Sequence, residues 1–329
     1  MLPVKIAGLG WYLPERRVLN AELEERLHIP AGWIERVTGV RERRYATGES
    51  AVSMGGAASR IALAEAGLDV GDVDAIIGAS AAPQQMIPCT AALMQRELEA
   101  PDGGSACFDI NATCLGFLFA LQTASHLVAS GVYRNVLIFS SEIGSRSLNP
   151  RERESAVLFG DAAAAAVLTR SAPGESSAIW HSQFATYSSG ADLTEIQGGG
   201  NLHHPNDPAT TPEMNMFHMR GPAIFKLGLR VLAPFVDRFF AGLELDRREI
   251  DAVVPHQASR HGVELLTKQL GFEERQVVWN LGERGNCISA SIPLALAESV
   301  HSGRITRGDR LLLIGSGAGL TLGAVALTF

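Results

Sequence analysis

Short apolar runs without polar alternation recur through the first half of the chain, at 73–79 and 135–140, and 106–110 reads as another strand. Such runs predict strands covered on both faces rather than strands with one wet side. Residues 4–13 predict a further strand ending at the turn of Pro14, and 162–168 predict another despite its alanines. Between them, 52–66, 91–98 and 114–130 carry helical patterns, and 19–27 predicts a short helix with Asn20 as its cap. Strands and helices alternate, so the expected class is α/β. The stretch 174–212 breaks the rhythm. It is rich in Gly, Ser, Asn and Pro and has no usable period, which predicts a long irregular excursion of the kind that serves function or moves. A helix resumes over about 221–240.

The chain also repeats itself. GDVDAIIGAS at 71–80 resembles REIDAVVPHQ at 248–257, an offset of 177. NATCLGFLFALQTASHLVASG at 111–131 can be laid over ERGNCISASIPLALAESVHSG at 283–303, an offset of 172. NVLIFS at 135–140 matches RLLLIG at 310–315. Three matches in one order argue for duplicated α/β halves, with boundaries expected at 1–172 and 173–329. This alignment sets Cys114 against Asn286, each just before an apolar helix. A pseudo-twofold axis between the halves would bring a thiol and a carboxamide to one place. His256 ends the buried strand of the second half, at the sheet's carboxyl edge.

Composition narrows the field. The chain has 329 residues, 46% hydrophobic and 19% charged, enough for a large core and unlike a disordered or coiled-coil protein. Its formal net charge of −7 gives no electrostatic draw toward nucleic acid or an anionic membrane. The four cysteines, at 89, 107, 114 and 287, form no CxxC pair, so neither a zinc site nor a disulfide framework is expected and a reducing cytoplasm is the simplest setting. The opening residues lack the pattern of a signal peptide. The most apolar stretch, 114–129, is interrupted by polar residues and reads as a buried helix rather than a membrane span.

Cys114 is the leading nucleophile candidate. A helix start offers free backbone N–H groups and the positive end of the dipole, which favour a thiolate and can hold an oxyanion. Gly116 would let neighbouring backbone approach. The alternative is a buried structural cysteine, the reading also given to Cys89, Cys107 and Cys287. His256, in VVPHQAS, could donate as a neutral imidazole through Nε2, and Asn286, in RGNCISAS, could add an amide donor. Singly, each is more readily read as structural, Asn286 as a cap; their interest comes from sharing an inferred location with Cys114. IGSGAGLTLG at 314–323 superficially suggests phosphate binding, but it lacks the full GxGxxG spacing and a following βαβ unit. Close backbone approach to the nucleophile, through Gly317 and Gly319, or tight sheet packing are the readings left.

Taken together, GLGWYLPERRVLNAELE, GWIERVTGVRERR, DINATCLGF, VLFGDAAAAAVL, VPHQAS, ERGNCISASIPLAL and GSGAGLTLG occur in the order found in one family. Across essentially its whole length the chain resembles the β-ketoacyl-acyl carrier protein synthase III family of the thiolase superfamily. The resemblance implies a five-layered αβαβα fold, usually dimeric, and a catalytic set that maps onto Cys114, His256 and Asn286. It implies decarboxylative condensation of an acyl-CoA with a malonyl thioester, carried by acyl carrier protein, in fatty acid or related synthesis. No metal or redox cofactor is implied; CoA enters as the substrate's acyl carrier. Trp33 and Arg153 resemble the residues that sandwich the CoA adenine, Lys226 a basic residue at the tunnel mouth, and Phe159 a phenylalanine near the nucleophile. Arg260 and Lys268 are candidates for meeting phosphate or the acidic carrier. Ile87 stands on a loop resembling the one that reaches the partner's acyl pocket. A smaller side chain than phenylalanine there implies medium or longer primers.

The chain departs from the family at two places. Val37 stands where an arginine often precedes Thr-Gly, with Arg36 one place earlier, a shift that on a strand would reverse its face. Pro222 replaces an asparagine and has no donor. A different acyl transfer of a lipid or natural-product pathway, including condensation of two acyl-CoAs, remains the alternative function, and a non-catalytic homologue a third.

Overall fold

The apolar runs at 73–79 and 135–140 become inner strands of the first of two sheets, and 106–110 supplies that sheet's edge, where it is only partly covered. The structure, a computed structural model, describes every residue except Glu244 and the side chains at 266–269. The first sheet contains β1 (Val4–Tyr12), β2 (Ala75–Gly78), β3 (Ala106–Asp109), β4 (Asn135–Glu142) and β5 (Ala162–Arg170), in the order β1-β5-β4-β2-β3. The second contains β6 (Ala178–Gly190), β7 (Ala252–Pro255), β8 (Arg310–Gly317) and β9 (Gly319–Thr328), in the order β6-β9-β8-β7. In both sheets the first three strands of the order pair antiparallel and the next joins in parallel. Where β3 completes the first sheet, the second has, among the described residues, an isolated bridge from Val253 to Val277.

The helices are α1 (Ala51–Ala66), α2 (Thr90–Glu97), α3 (Gly116–Ala129), α4 (Gly221–Ala241), α5 (Arg260–Leu270) and α6 (Ser291–His301). α3 and α6 lie between the sheets. One core joins Phe117, Leu118 and Leu121 of α3 and Ile292 and Leu296 of α6 to Ile77 and Ile138 of the first sheet and Val254, Leu313 and Val325 of the second. This middle position explains why 114–129 is so apolar: a helix covered on both faces needs no polar stripe. α1 and α2 cover the outer face of the first sheet through Met54, Leu63 and Met94. α4 and α5 cover that of the second through Phe235, Phe239 and Val263. The architecture is the expected five-layered α/β arrangement. The chain passes between the sheets after Arg170 and before Ala178.

Three local expectations need correction. Residues 178–190 are not irregular but form β6, paired with β9 along its length. Most of its side chains are only half-buried, so the strand lacks the apolar run that marks the others. Asn20 does not cap the helix Asn20–Arg26; Leu19 holds that place, while the Asn20 amide donates to Val40 O (2.7 Å) and its Oδ1 accepts from Arg43 (2.7 Å). Residues Trp33–Thr38 are helical, bounded by Gly32 and Gly39 at φ +74° and +79°. Replacing Arg36 by Val37 in register therefore turns the cation by about 100° around a helix, not to an opposite face.

The duplication holds, with one register correction. Gly116 and Ser291, which open the middle helices, are 175 residues apart, and so are Asn135 and Arg310, which open β4 and β8. The offset of 172 taken for the helix starts is three residues short. The structural counterpart of Cys114 is Ser289, and that of Asn286 is Asn111.

Candidate active site

Both middle helices are entered through the same turn. Thr113–Leu115 and Ile288–Ala290 form single 3-10 turns ahead of α3 and α6. Thr113 and Ile288 have φ of +50° and +52°. For β-branched residues this is strained backbone, costing of order 1–3 kcal/mol each. In each turn an asparagine supports the strain: Asn111 Oδ1 accepts from the Thr113 amide and Asn286 Oδ1 from the Ile288 amide, both at 2.9 Å. Fixing Oδ1 in this way also fixes where each Asn points its NH₂.

Cys114 sits half-buried in the first turn. Gly116 follows it because a Cβ there would stand 2.2 Å from the Ala79 carbonyl oxygen, so only glycine lets the helix start meet the end of β2. Burial, with the Glu142 carboxylate adding to it, pushes the thiol up to about 12; its own backbone amide pulls the other way. Desolvation thus works against the pull of the helix start on the thiolate.

His256 lies immediately after β7, buried, with its amide bonded to Ile314 O at 2.8 Å. Burial lowers it to about 4, so it is a neutral imidazole at pH 7. Its Nδ1 has no partner among the described residues. Asn286 is held by its backbone between Leu158 O (2.8 Å) and Gly160 N (3.0 Å), and its Nδ2 approaches Ala258 O at only 3.5 Å. The two turns pack on each other, and β8 packs on the turn of Cys114. A Cβ on Gly315 would meet His256 Cβ at 2.7 Å and Leu115 at 3.1 Å; one on Gly317 would meet Thr113 Oγ1 at 2.7 Å. Glycines in β8 therefore let the histidine and the Cys114 turn close on one another. Gly319, at φ +135°, is not part of this meeting; its nearest neighbours are Thr321 and Thr186.

Phe159 is buried beside the centre, bridged to Asn286 and packed edge-on against Phe217 at 4.8 Å. Trp33 and Arg153 line one cavity of about 400 Å³ with Arg151, Glu152, Glu154 and Met219. The end of the irregular excursion is tied to this rim: His218 Nδ1 lies 2.7 Å from Glu152 Oε1. The Glu213 carbonyl and Glu152 together raise the His218 pKa. Arg260, half-buried, packs its side chain against Gly39 at the end of the Trp33 helix. Lys226 is exposed on α4, and the side chain of Lys268 lies outside the described residues. Pro222 occupies the first turn of α4, where a missing N–H costs nothing. Ile87 is 85% exposed with Met86 on the loop ahead of α2, outside the centre formed by a single chain.

One functional candidate escaped the sequence. Glu142, the last residue of β4, is buried, and its Oε1 accepts from Ser289 Oγ (2.5 Å) and the Ala81 amide (2.6 Å). A carboxylate at the buried end of this strand, two residues past the apolar run, was its sequence signal.

Two sequence models match the chain: 3-oxoacyl-[acyl-carrier-protein] synthase III over 108–188, and the C-terminal region of the same family over 241–329. A β-ketoacyl-[acyl-carrier-protein] synthase III of Clostridium perfringens is 36% identical over 327 residues, 99% of each chain. The chain belongs to the 3-oxoacyl-[acyl-carrier-protein] synthase III family. The crystal structure of the Aquifex aeolicus synthase III superposes with a TM-score of 0.89 at 34% identity, covering 99% of this chain and all of that one. A priming β-ketosynthase of the R1128 polyketide pathway superposes at 0.90 with 31% identity, covering 99% and 96%. The fold is thiolase-like, and the protein is a condensing acyltransferase that makes 3-oxoacyl thioesters.

Proposed function

We propose that Cys114 carries the primer and that His256 and Asn286 serve the malonyl step. The Cys114 sulfur attacks the carbonyl of an acyl-CoA, forming a new thioester as the carbon–sulfur bond to CoA breaks and CoA leaves as a thiol. A malonyl thioester, delivered by acyl carrier protein, then loses CO₂. The pair of electrons left behind becomes an enolate, whose oxygen is held by the neutral imidazole of His256 and the amide of Asn286. Its carbon attacks the acyl-Cys114 carbonyl, a carbon–carbon bond forms, and the sulfur departs and regains a proton. The observation that carries this reading is that the Cys114 turn and His256 close on the glycines of β8 while the Asn286 turn packs on the Cys114 turn.

In this reading CoA is the only cofactor-like group, as acyl carrier, and no metal or redox group takes part. Its adenine would lie between Trp33 and Arg153, with Lys226, Arg260 and Lys268 toward phosphate or the acidic carrier. Ile87 would reach a partner subunit's acyl pocket in a homodimer, a reading supported by the open edge of β3 and the exposed Met86 and Ile87. Isoleucine in place of a flat aromatic wall favours medium or longer primers. No helix among the described residues is long and apolar enough to cross a membrane, and we place the enzyme in the cytoplasm. A specialised pathway is the second reading, favoured by the likeness to the R1128 priming ketosynthase.

The test is to incubate the protein with a series of acyl-CoAs and locate the added mass by peptide mass spectrometry. Acyl groups on Cys114 are expected; acylation at Cys89 or Cys287 would overturn the assignment. Product analysis with malonyl-acyl carrier protein, malonyl-CoA or a second acyl-CoA then distinguishes the pathways.

A further inference from the structure

The two strands that end at the centre differ at their last residue. Glu142 closes β4, and its counterpart Gly317, 175 residues on, closes β8. The glycine packs against the Thr113 turn, whereas the glutamate reaches the opposite turn and accepts from Ser289, the counterpart of Cys114. The same carboxylate oxygen accepts from the Ala81 amide, at the head of the loop that carries Ile87. That loop head is further tied to β4 by the Ser141 amide donating to Ser80 Oγ at 2.9 Å. One buried side chain therefore joins a strand end, the Ile87 loop and the helix start of the other half.

We propose that Glu142 is a positioning residue for Cys114: it clamps the Ile87 loop to the Ser289 turn, and its negative charge holds back the thiolate until that charge is neutralised. The proposal rests on Cys114 being the nucleophile of the preceding section. A buried carboxylate near a thiol opposes a second negative charge in the same low-dielectric space. Burial raises Glu142 to about 7, against the pull of Ser289 Oγ and of the Ala81, Ala82 and Ser289 amides, so its charge changes near neutral pH. The titratable groups that feel it from the packed turns are the thiols of Cys114 and Cys287. An unliganded enzyme would thus keep its cysteine as a protected thiol, and a substrate that neutralises or displaces the charge would release it.

The test is the pH profile of Cys114 alkylation by iodoacetamide, followed by peptide mass spectrometry, which needs no turnover. Glu142→Gln keeps an acceptor oxygen and removes the charge. It should alkylate at Cys114 at least about threefold faster at pH 8, corresponding to about half a pH unit. Ser289→Ala keeps the carboxylate but removes a bond that favours its charge. It should speed alkylation near pH 7 and match wild type at pH 9. Glu142→Asp, too short for both partners, should raise the KM for acyl-CoA more than it lowers kcat. Wild-type alkylation profiles in Glu142→Gln, or in Ser289→Ala should the first fail to fold, would overturn the proposal. Acylation at another cysteine would instead overturn the nucleophile assignment, while leaving the alkylation comparison readable.

Discussion

The two turns that open the middle helices have the same backbone and different chemistry. In each, an asparagine accepts from a strained residue two places on, and its NH₂ faces a carbonyl, Ala81 O for Asn111 and Ala258 O for Asn286. Asn111 is exposed and makes that second bond at 2.9 Å; Asn286 is buried and stands at 3.5 Å, a weak contact. The first turn then presents a thiol where the second presents a hydroxyl bonded to Glu142. Before the turns, the first half has Ala79 and the second His256, each just past its parallel strand. Duplication supplied one rigid scaffold twice. In the proposed reading the first copy holds the nucleophile and the second holds the donors, of which the Asn286 amide makes only a weak contact with Ala258 O.

Several substitutions bear on this comparison. The largest effect is expected from Cys114→Ala, which should lower condensation by at least about a thousandfold while leaving the fold intact, as measured by 3-oxoacyl product formation and thermal melting. Turnover retained by that variant would break the asymmetry at its strongest point. Next comes the asparagine pair. Asn286→Ala should slow release of CO₂ by about a hundredfold or more. Asn111→Ala should leave that rate within a few-fold and cost about 1 kcal/mol of stability for the lost turn bonds. Equal rates in the two variants would mean that both asparagines only support backbone.

Smaller effects come from the loop and from pH. Ile87→Phe should cut acylation by longer primers several-fold and spare acetyl-CoA, since each buried methylene contributes roughly 0.8 kcal/mol. An acetyl optimum in the wild type, unchanged by phenylalanine, would detach Ile87 from the acyl pocket. His256 and Glu142 should give the stability profile opposite slopes. The folded histidine, lowered to about 4, resists a proton that the unfolded chain takes up from about 6.5 downward, so its contribution is lost as pH falls through that window. The folded glutamate, raised to about 7, keeps a proton that the unfolded chain releases near 4.5, so its contribution is lost as pH rises through 7. Urea melts of His256→Ala and Glu142→Gln between pH 4 and 8 should each remove one slope.

Much of this was legible in the sequence because covered strands are short apolar runs and the middle helices are mostly apolar. His256 stood just after such a run and Cys114 and Asn286 just before apolar helices, so their elements could be placed and their meeting inferred from the duplication. The three-residue error in aligning the helix starts has a physical source. Small and apolar residues fill both starts, and only the backbone turns at Thr113 and Ile288 fix the register. β6 was missed because a half-buried strand has few apolar positions to announce it. The Trp33 helix was too short, at six residues between two glycines, to show a period. Glu142 was invisible for a different reason. Its partner Ser289 is 147 residues away, and no spacing along the chain announces a contact made between halves.

The division of labour between the halves is tested most directly by following the two half-reactions separately in His256→Ala and Asn286→Ala. The release of CoA on loading reports the first half, and CO₂ from the malonyl thioester reports the second. Loading of Cys114 should stay within a few-fold of wild type and decarboxylation should fall by about a hundredfold or more in both variants. Small and equal losses in the two steps would contradict it, and would leave His256 and Asn286 as supports of the fold.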